Sequence, residues 1–283
     1  MIESSAITKQ EEEITLIKPS KGWGSLNLRE LWIYRELVYF LTWRDLKVRY
    51  KQTALGAGWA ILQPVLSMVV FSIFFGGLLN VDSGDVPYPI FSYAAILPWG
   101  VFAKALNDTG RSLVSNRAML TKIYFPRMVI PLASVFSSLA DFLIAFVVML
   151  GLMYYYQIAP TSNIWTLPLF LLLAVITALG VGLWLSAMNV LYRDIGYMIP
   201  YITQLWFYLT PIVYSASEVP EEWQFFYALN PMVGVVEGFR WALLGTADAP
   251  SPMIGVSAVI ALIVFISGMF YFRRMERTFA DMV

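Results

Sequence analysis

The sequence predicts an all-α integral membrane protein with six transmembrane helices. Hydrophobic residues make up 59% of its 283 residues and charged residues only 13%, whereas soluble domains carry about 25% charged residues. The apolar residues are grouped in blocks of about 17 to 28, and a helix needs about 20 of them to cross a bilayer. The chain has no cysteine and no histidine, which excludes disulfide scaffolds, thiolate nucleophiles and the commonest general base and metal ligand.

The apolar blocks predict spans over residues 59–79, 88–106, 128–155, 165–191, 198–214 and 253–272. The second block is the least regular, because it contains Pro98 and Lys104. Proline is tolerated in a spanning helix when neighbouring helices satisfy the freed carbonyl. Residues 1–27 are polar and lack the pattern of a cleavable signal peptide. We therefore expect a mobile cytoplasmic extension over 1–27 and a single transmembrane domain over 28–283.

Basic residues predict the orientation of the spans, because cytoplasmic loops carry an excess of lysine and arginine. With the six predicted spans, all but one of the 19 lysines and arginines fall on the same side of the membrane as the two termini. The exception is Arg240, in the third loop of the opposite side. Both termini are therefore predicted to be cytoplasmic.

A dense cationic segment precedes the first predicted span. Residues 28–51 contain no proline or glycine, and their basic and aromatic residues recur at helical spacing. This pattern predicts an amphipathic helix that lies at the cytoplasmic interface, and Gly56 and Gly58 then allow the chain to turn into the first span. Arg44 and Lys47 on this helix either anchor the protein at the headgroups or also form a docking surface for a partner.

Two charged loops are predicted on the same side of the membrane. The loop between spans two and three contains Arg117 and Lys122, and the turn between spans four and five contains the adjacent Arg193 and Asp194. Ordinary solvated loops have this composition. Together with the amphipathic helix, the two loops also form a candidate docking platform.

The loop between spans five and six is too long to be only a connector. Its residues 220–244 predict a helical hairpin at the outer membrane face or dipping back into it, because each helical piece is too short to span. Asn230 suits the N-cap of the second piece, Pro231 its first turn and Gly245 its end.

The hairpin is predicted either to act as a lid or gate or to form a structural cap. Glu237 and Arg240 lie three residues apart in its second piece, so they can pair on one side of the helix. The candidate gate residues are Trp223, Asn230, Pro231, Glu237 and Arg240.

Asp141 is the one ionisable residue deep within a predicted span. A carboxylate there costs about 3 kcal/mol unless it is paired or hydrated, so it is a candidate for a functional site. Ser134, Ser137 and Ser138 lie on roughly the same helical face and offer local partners. A structural or pore-lining role is favoured over proton coupling, because no second buried charge is evident at matching depth.

Aromatic residues make up 16% of the chain. Many are expected in belts at the two membrane interfaces, but others lie within the apolar stretches. Aromatic faces stack on sugar rings, so a conduit lined by them suits a glycan, whereas lipid-facing or core positions are the alternative. The candidate conduit residues are Trp59, Phe71, Phe75, Asp141, Trp206 and Tyr208.

The chain contains no G-x-x-x-x-G-K-[ST] motif, so an ATP-driven step requires a separate polypeptide. Four stretches strongly resemble the membrane subunit of bacterial polysaccharide-export ABC transporters, of the type-2 exporter group. They are "WRDLKVRYKQTALGAGWAILQPVL", "NRAMLTKIYFPRMVIPLA", "NVLYRDIGYMIPYITQLWFYLTPIVYS" and "LNPMVGVVEGFRWALLG". The resemblance extends from Leu28 to the C-terminus and is specific to the family, though not to a substrate.

The resemblance implies a homodimer of six-span subunits in the bacterial plasma membrane. The dimer is expected to enclose a conduit for a lipid-linked polysaccharide of the O-antigen, capsule or teichoic-acid type. Two copies of a separate P-loop ATPase subunit would bind ATP and Mg²⁺, so no cofactor, metal, catalytic residue or nucleic acid is expected on this chain. In that family the amphipathic helix and the inner loops contact the ATPase, here residues 28–51, 112–122 and 192–196, and the outer hairpin 220–244 acts as a gate.

Other functions remain open at this stage. One is a type-2 ABC permease for a drug or a lipid. Another is a membrane-embedded glycosyltransferase or acyltransferase, for which Glu218, Glu221 and Glu222 form the only local carboxylate cluster. A proton-coupled carrier centred on Asp141 is a third.

Overall fold

The computed structural model describes residues 28–51, 53, 55–246, 252–276 and 278–279. The regular structure of these residues is helical throughout, which confirms the all-α part of the prediction over this part of the chain. The predicted mobile extension over residues 1–27 lies outside the described residues.

The α-helices of the described residues follow one another in this order. They are α1 (Leu28–Ile33), α2 (Arg35–Lys51), α3 (Gly58–Phe71), α4 (Tyr88–Ser115), α5 (Arg117–Leu120), α6 (Val129–Tyr155), α7 (Leu167–Leu191), α8 (Ile195–Tyr208), α9 (Glu221–Ala228), α10 (Pro231–Leu244) and α11 (Pro252–Met275). A π-helical segment (Ser72–Leu78) prolongs α3, and a 3-10 turn (Ser162–Thr166) leads into α7. The predicted amphipathic helix is therefore α1 and α2, interrupted at Tyr34.

Five helical segments of the described chain are long and apolar enough to cross a membrane. They are Gly58–Leu78, Tyr88–Ser115, Val129–Tyr155, Ser162–Leu191 and Met253–Met275. They correspond to the predicted spans one to four and six. The second is longer than predicted, because residues 107–115 are polar in sequence but place Thr109, Ser112 and Leu113 in the protein interior.

The predicted span over residues 198–214 is not one long helix. It consists of α8, which has 14 residues and ends at Tyr208, and a non-helical segment that follows. At about 1.5 Å per residue, α8 is roughly 21 Å long, shorter than the hydrocarbon core of about 30 Å. Pro211 lacks a backbone donor and disfavours helical geometry at the residue before it, which accounts for the early end. The sixth span stays a prediction.

The centre of the bundle is α4, which packs between α6 and α7, with α11 on the other side of α7. Most of the apolar part of α4 is buried, whereas no residue of α3 or of the π-helical segment after it is buried. The contact between α7 and α11 depends on Gly180, where an added Cβ would lie 2.7 Å from the backbone nitrogen and Cα of Phe265. Small residues at such contacts allow helix backbones to approach closely in membranes.

Hydrogen bonds between helices show which of their ends lie together. The Tyr93 hydroxyl donates to the carbonyl of Ala145, 2.9 Å away, between α4 and the antiparallel α6. The Asn189 amide of α7 donates to the carbonyl of Gly110 over 3.1 Å, near the C-terminal ends of α7 and α4. We call the end of the bundle where α4 and α7 end and α8 begins the basic end, and the end that carries α9 and α10 the opposite end.

Candidate functional site

The three segments predicted to form a docking platform meet at the basic end. The Arg44 guanidinium of α2 donates to the side-chain oxygen of Asn116 over 2.8 Å, directly after α4. The Arg111 guanidinium of α4 donates two bonds, of 3.2 and 2.9 Å, to the carbonyl of Gly196 at the start of α8. The amphipathic helix and the two loops are therefore fixed to one another through the end of α4.

Most of the predicted docking residues have exposed side chains at this end, without an ion pair to any other described residue. Lys47, Arg117, Lys122, Arg193 and Asp194 are all exposed. The side chain of Arg44 is 36% exposed and forms an ion pair of 2.8 Å with the adjacent Asp45. The surface therefore offers mostly cationic groups and one carboxylate to a partner in solution.

Asp141 is surrounded by charged side chains from two other helices. Its carboxylate accepts a hydrogen bond from Arg49 at 2.8 Å and forms an ion pair with Lys104 at 3.2 Å, and it also accepts a hydrogen bond from the hydroxyl of Tyr50. Arg49 in turn donates to Asp108 over 3.1 Å. We call Arg49, Lys104, Asp108 and Asp141 the charge cluster. It joins α2, α4 and α6.

The neighbouring serines, which the sequence offers as local partners of Asp141, do not bond to it within the chain. Ser134 and Ser138 donate to backbone carbonyls of their own helix. The prediction that no second charge lies at the depth of Asp141 is wrong. Lys104 and Arg49 lie beside it, although they belong to helices distant in sequence. Burial, together with the bond to the Asp141 carboxylate, raises the pKa of the Tyr50 phenol to about 12.

At the opposite end, Asn230 joins α10 to the chain after α8. Its side-chain oxygen caps α10 by accepting from the backbone N–H of Met232 over 3.0 Å, which confirms the predicted N-cap. The same oxygen accepts from the indole of Trp206 over 2.8 Å. Its amide nitrogen donates to the carbonyl of Leu209 at 2.9 Å and to the hydroxyl of Thr210 at 3.1 Å.

Arg240 of α10 is 1% exposed, although it is charged. Its guanidinium pairs with Glu237 over 2.9 Å, which confirms the predicted pairing. It also donates to the carbonyls of Ile212 at 2.8 Å and Tyr214 at 2.9 Å, and it lies 3.7 Å from the ring centre of Phe91. Backbone carbonyls outside helices need such donors in a protein interior, so Arg240 satisfies the non-helical chain that follows α8.

The α9 helix contributes a second polar contact at this end. The hydroxyls of Tyr214 and Tyr227 lie 2.7 Å apart, in hydrogen-bond distance, and burial raises the pKa of the Tyr227 phenol above its ordinary range. Trp223, a predicted gate residue, is 61% exposed on the same helix.

Comparison with known proteins identifies the family. The model of the ABC-2 type transporter family matches residues 36–244, more than half of the chain. The chain belongs to this family. The O-antigen export system permease protein RfbA of Myxococcus xanthus is 31% identical to the ABC-2 chain over 254 residues, which are 88% of this chain and 96% of that protein.

Further relatives extend the comparison. A protein of the same name from Klebsiella pneumoniae is 28% identical over 250 residues, 88% of this chain and 95% of the relative. The polysialic acid transport protein KpsM of Escherichia coli is 22% identical over 241 residues, 82% of this chain and 91% of the relative. The resemblance based on the four stretches is thereby confirmed, and the ABC-2 chain is a multi-pass membrane protein.

The predicted conduit residues of this ABC-2 chain fall into two groups. Phe71, Phe75 and Trp206 are partly buried and belong to an aromatic cluster in which Phe71 meets Phe207 and Trp206 meets Phe102. Trp59 and Tyr208, in contrast, are 51% and 65% exposed. Asp141 belongs to the charge cluster. Trp59 and Tyr208 are therefore the most exposed of the predicted aromatic conduit residues.

Sequence reasoning missed three further residues on the same face as Tyr208. Tyr197, Tyr201, Gln204 and Tyr208 of α8 are separated by four, three and four residues, so they form one stripe along the helix, and all four are exposed. Among the described residues, the Gln204 side chain has no hydrogen-bond partner. This spacing is present in the sequence, but the neighbouring positions are also rich in aromatic residues, so the stripe cannot be distinguished from them by sequence alone.

Proposed function

We propose that this chain is the transmembrane subunit of an ATP-driven exporter that moves a lipid-linked polysaccharide outward across the bacterial plasma membrane. The observation that carries the proposal is its similarity, over more than four fifths of its length, to proteins named as O-antigen export permeases and as a polysialic acid transport protein. The substrate is accordingly a long glycan of the O-antigen or capsule type on a lipid carrier.

ATP hydrolysis takes place in a separate subunit, present in two copies, which binds ATP and Mg²⁺. The absence of a P-loop motif in this chain supports this division. The basic end is the docking surface, because its exposed residues come from three segments fixed to one another by Arg44 and Arg111. This chain contributes no catalytic residue.

The chain crosses the membrane six times, with both termini in the cytoplasm. Support comes from the contacts of the α8 segment along α4. Its start bonds to Arg111 near the inner end of α4, Trp206 packs on Phe102 at the middle, and the carbonyl of Val213 accepts from Tyr88 at the other end over 2.7 Å. The segment therefore covers the length of a neighbouring span, although its helix is short.

Two copies of the chain enclose the glycan conduit, and α3 and α8 form its wall. Lipid tails offer no hydrogen bonds, so exposed amides such as Gln63 of α3 and Gln204 of α8 need a different neighbour. The tyrosine rings of the α8 stripe offer faces that stack on sugars and hydroxyls that bond to them. A conduit with these walls holds a polysaccharide weakly at many points and lets it slide.

The α9–α10 hairpin closes the outer end of the conduit. Its attachment through Asn230 and Arg240 to the chain after α8 supports this role, because these bonds place the end of the α8 segment directly against the hairpin. Asp141 does not favour proton coupling, since both of its oxygens are occupied by donors from another helix.

Purification from the native host in mild detergent tests the proposal. We expect a P-loop ATPase to co-purify with a dimer of this chain at one-to-one stoichiometry, measured by native mass spectrometry. The Arg193→Ala/Asp194→Ala variant is expected to lower glycan export, and Arg274→Gln, an exposed residue outside the docking surface, is the matched control. A lone oligomer without an ATPase would contradict the proposal, and normal export by the double variant would remove the turn from the coupling surface.

A further inference from the structure

The helix α2 is fastened to the spans at three points along its length. Near its middle, the Thr42 hydroxyl lies 3.4 Å from the carbonyl of Ala133 in α6. Arg44 reaches the residue after α4. Near the end of α2, Arg49 donates to Asp141 of α6 and to Asp108 of α4. An amphipathic helix that only lay on the headgroups would make none of these bonds.

The charge cluster is balanced and partly shielded from solvent. Two cations face two carboxylates, and the side chains are between 16% and 38% exposed. Arg49 is the central member, because its planar guanidinium uses separate nitrogens for the two carboxylates, a geometry that a lysine ammonium does not reproduce. Lys104 neutralises the remaining charge at distances of 3.2 Å from Asp141 and 4.0 Å from Asp108.

Among the described residues, α2 makes few contacts with the next helix, α3, and many with α6. Gly56 in this connection has a positive φ of 51°, and no residue of α3 is buried. The end of α2 is therefore held by α4 and α6 more firmly than by α3, which follows it in sequence. A force on α2 reaches the packed centre of the bundle first.

We propose that Arg49 is a positioning residue that makes α2, α4 and α6 move as one unit when the partner ATPase displaces α2. The inference depends on the proposed function, since it assigns a specific link to the coupling between ATP hydrolysis and export. Displacement of α2 carries the inner halves of α4 and α6 with it, while α3 and α8 change their neighbours. Without Arg49, α2 moves alone and ATP is hydrolysed without transport.

The test uses the complex of this chain with its ATPase, reconstituted with the native glycan. We expect Arg49→Gln to co-purify with the ATPase as the unsubstituted chain does and to hydrolyse ATP. Coupling between sites typically corresponds to factors of about 5 to 150, so glycan exported per ATP should fall at least about fivefold. Arg49→Lys should recover only part of it. Arg274→Gln, which removes an exposed cation at the end of α11, should change neither quantity.

A covalent link between α2 and α6 distinguishes transmission from simple stability. The chain has no cysteine of its own, so Thr42→Cys/Ala133→Cys introduces a single cysteine pair where α2 contacts α6, and non-reducing electrophoresis of a chain cleaved between the two helices verifies that the disulfide has formed. If α2 and α6 move as one unit, the oxidised pair exports normally and restores export to Arg49→Gln. Reduction should remove the rescue.

The outcomes separate the two proposals. Block of export by the oxidised pair, or normal export per ATP by Arg49→Gln, would overturn the inference while leaving the exporter assignment intact. Absence of an ATPase from the unsubstituted complex would overturn the exporter assignment itself.

Discussion

Replacement of Arg240 by methionine tests how the non-helical chain after α8 is held in the protein interior. The guanidinium is 1% exposed and bonds to Glu237 and to the carbonyls of Ile212 and Tyr214. Methionine is also long and unbranched but supplies no donor. Arg240→Met therefore leaves two carbonyls without their donor and the Glu237 carboxylate without its cation, so that, among the described residues, only the backbone N–H of Ala216 still donates to it.

The size of the effect follows from these contacts. Breaking a buried ion pair costs about 3–5 kcal/mol, each unsatisfied carbonyl about 1–3 kcal/mol, and the lost stacking on Phe91 up to about 2 kcal/mol. These contributions belong to one side chain and are not additive, so we expect a loss of about 5 kcal/mol in the free energy of unfolding. At about 2–4 °C per kcal/mol, the melting temperature should fall by roughly 10–20 °C.

Thermal unfolding of the detergent-solubilised protein, followed by intrinsic fluorescence, measures this loss. Arg240→Lys keeps the charge but not the forked geometry and should lie between the two proteins. Removal of the stranded carboxylate in Glu237→Gln/Arg240→Met should recover part of the stability. Arg193→Met, at an exposed arginine, should change stability by less than about 0.5 kcal/mol. A melting temperature for Arg240→Met equal to that of the unsubstituted protein would refute the role given to this arginine.

Two further predictions concern packing and the conduit. Gly180→Ala should destabilise the protein by about 1–3 kcal/mol in the same unfolding assay, since the new Cβ meets the backbone of Phe265. The control Gly151→Ala, where nothing lies within 4 Å of the added atom, should be neutral or stabilising. Equal effects of the two substitutions would contradict the close contact of α7 and α11. Gln204→Leu should lower glycan export while leaving the melting temperature unchanged or raising it, because the exposed amide contacts only the substrate. Unchanged export would show that this residue faces lipid.

Much of the helical layout could be predicted, because it depends on the length and composition of the apolar blocks. The predicted N-cap at Asn230 and the stop at Gly245, which has a φ of 69°, followed from local chemistry alone. The extent of α4 could not be predicted from hydropathy, because its last turns are polar in sequence and buried in the protein. The early end of α8 could be predicted from Pro211, because proline disfavours helical geometry at the residue before it. The length of the apolar block alone predicts a longer helix.

The charge cluster was harder to predict, since its members are far apart in the chain. Asp141 alone gives the impression of an isolated buried carboxylate with only serines nearby. Its partners Arg49 and Lys104 belong to a segment interpreted as a headgroup anchor and to the least regular predicted span. Only the antiparallel packing of α4 on α6, with α2 alongside, brings the four charges together.

The distribution of buried and exposed residues indicates which parts of the protein change neighbours during transport. An exposed leucine needs no partner in a bilayer, because lipid tails are as apolar as its side chain. An exposed amide does need one, and Gln63 and Gln204 lie on α3, which has no buried residue, and on α8, which has only two. In contrast, α4, α7 and α11 pack through glycine contacts that tolerate almost no displacement. A transport cycle that preserves the close-packed helices must therefore move α3 and α8 against them, and the same two helices carry the polar groups that a hydrated polysaccharide can use.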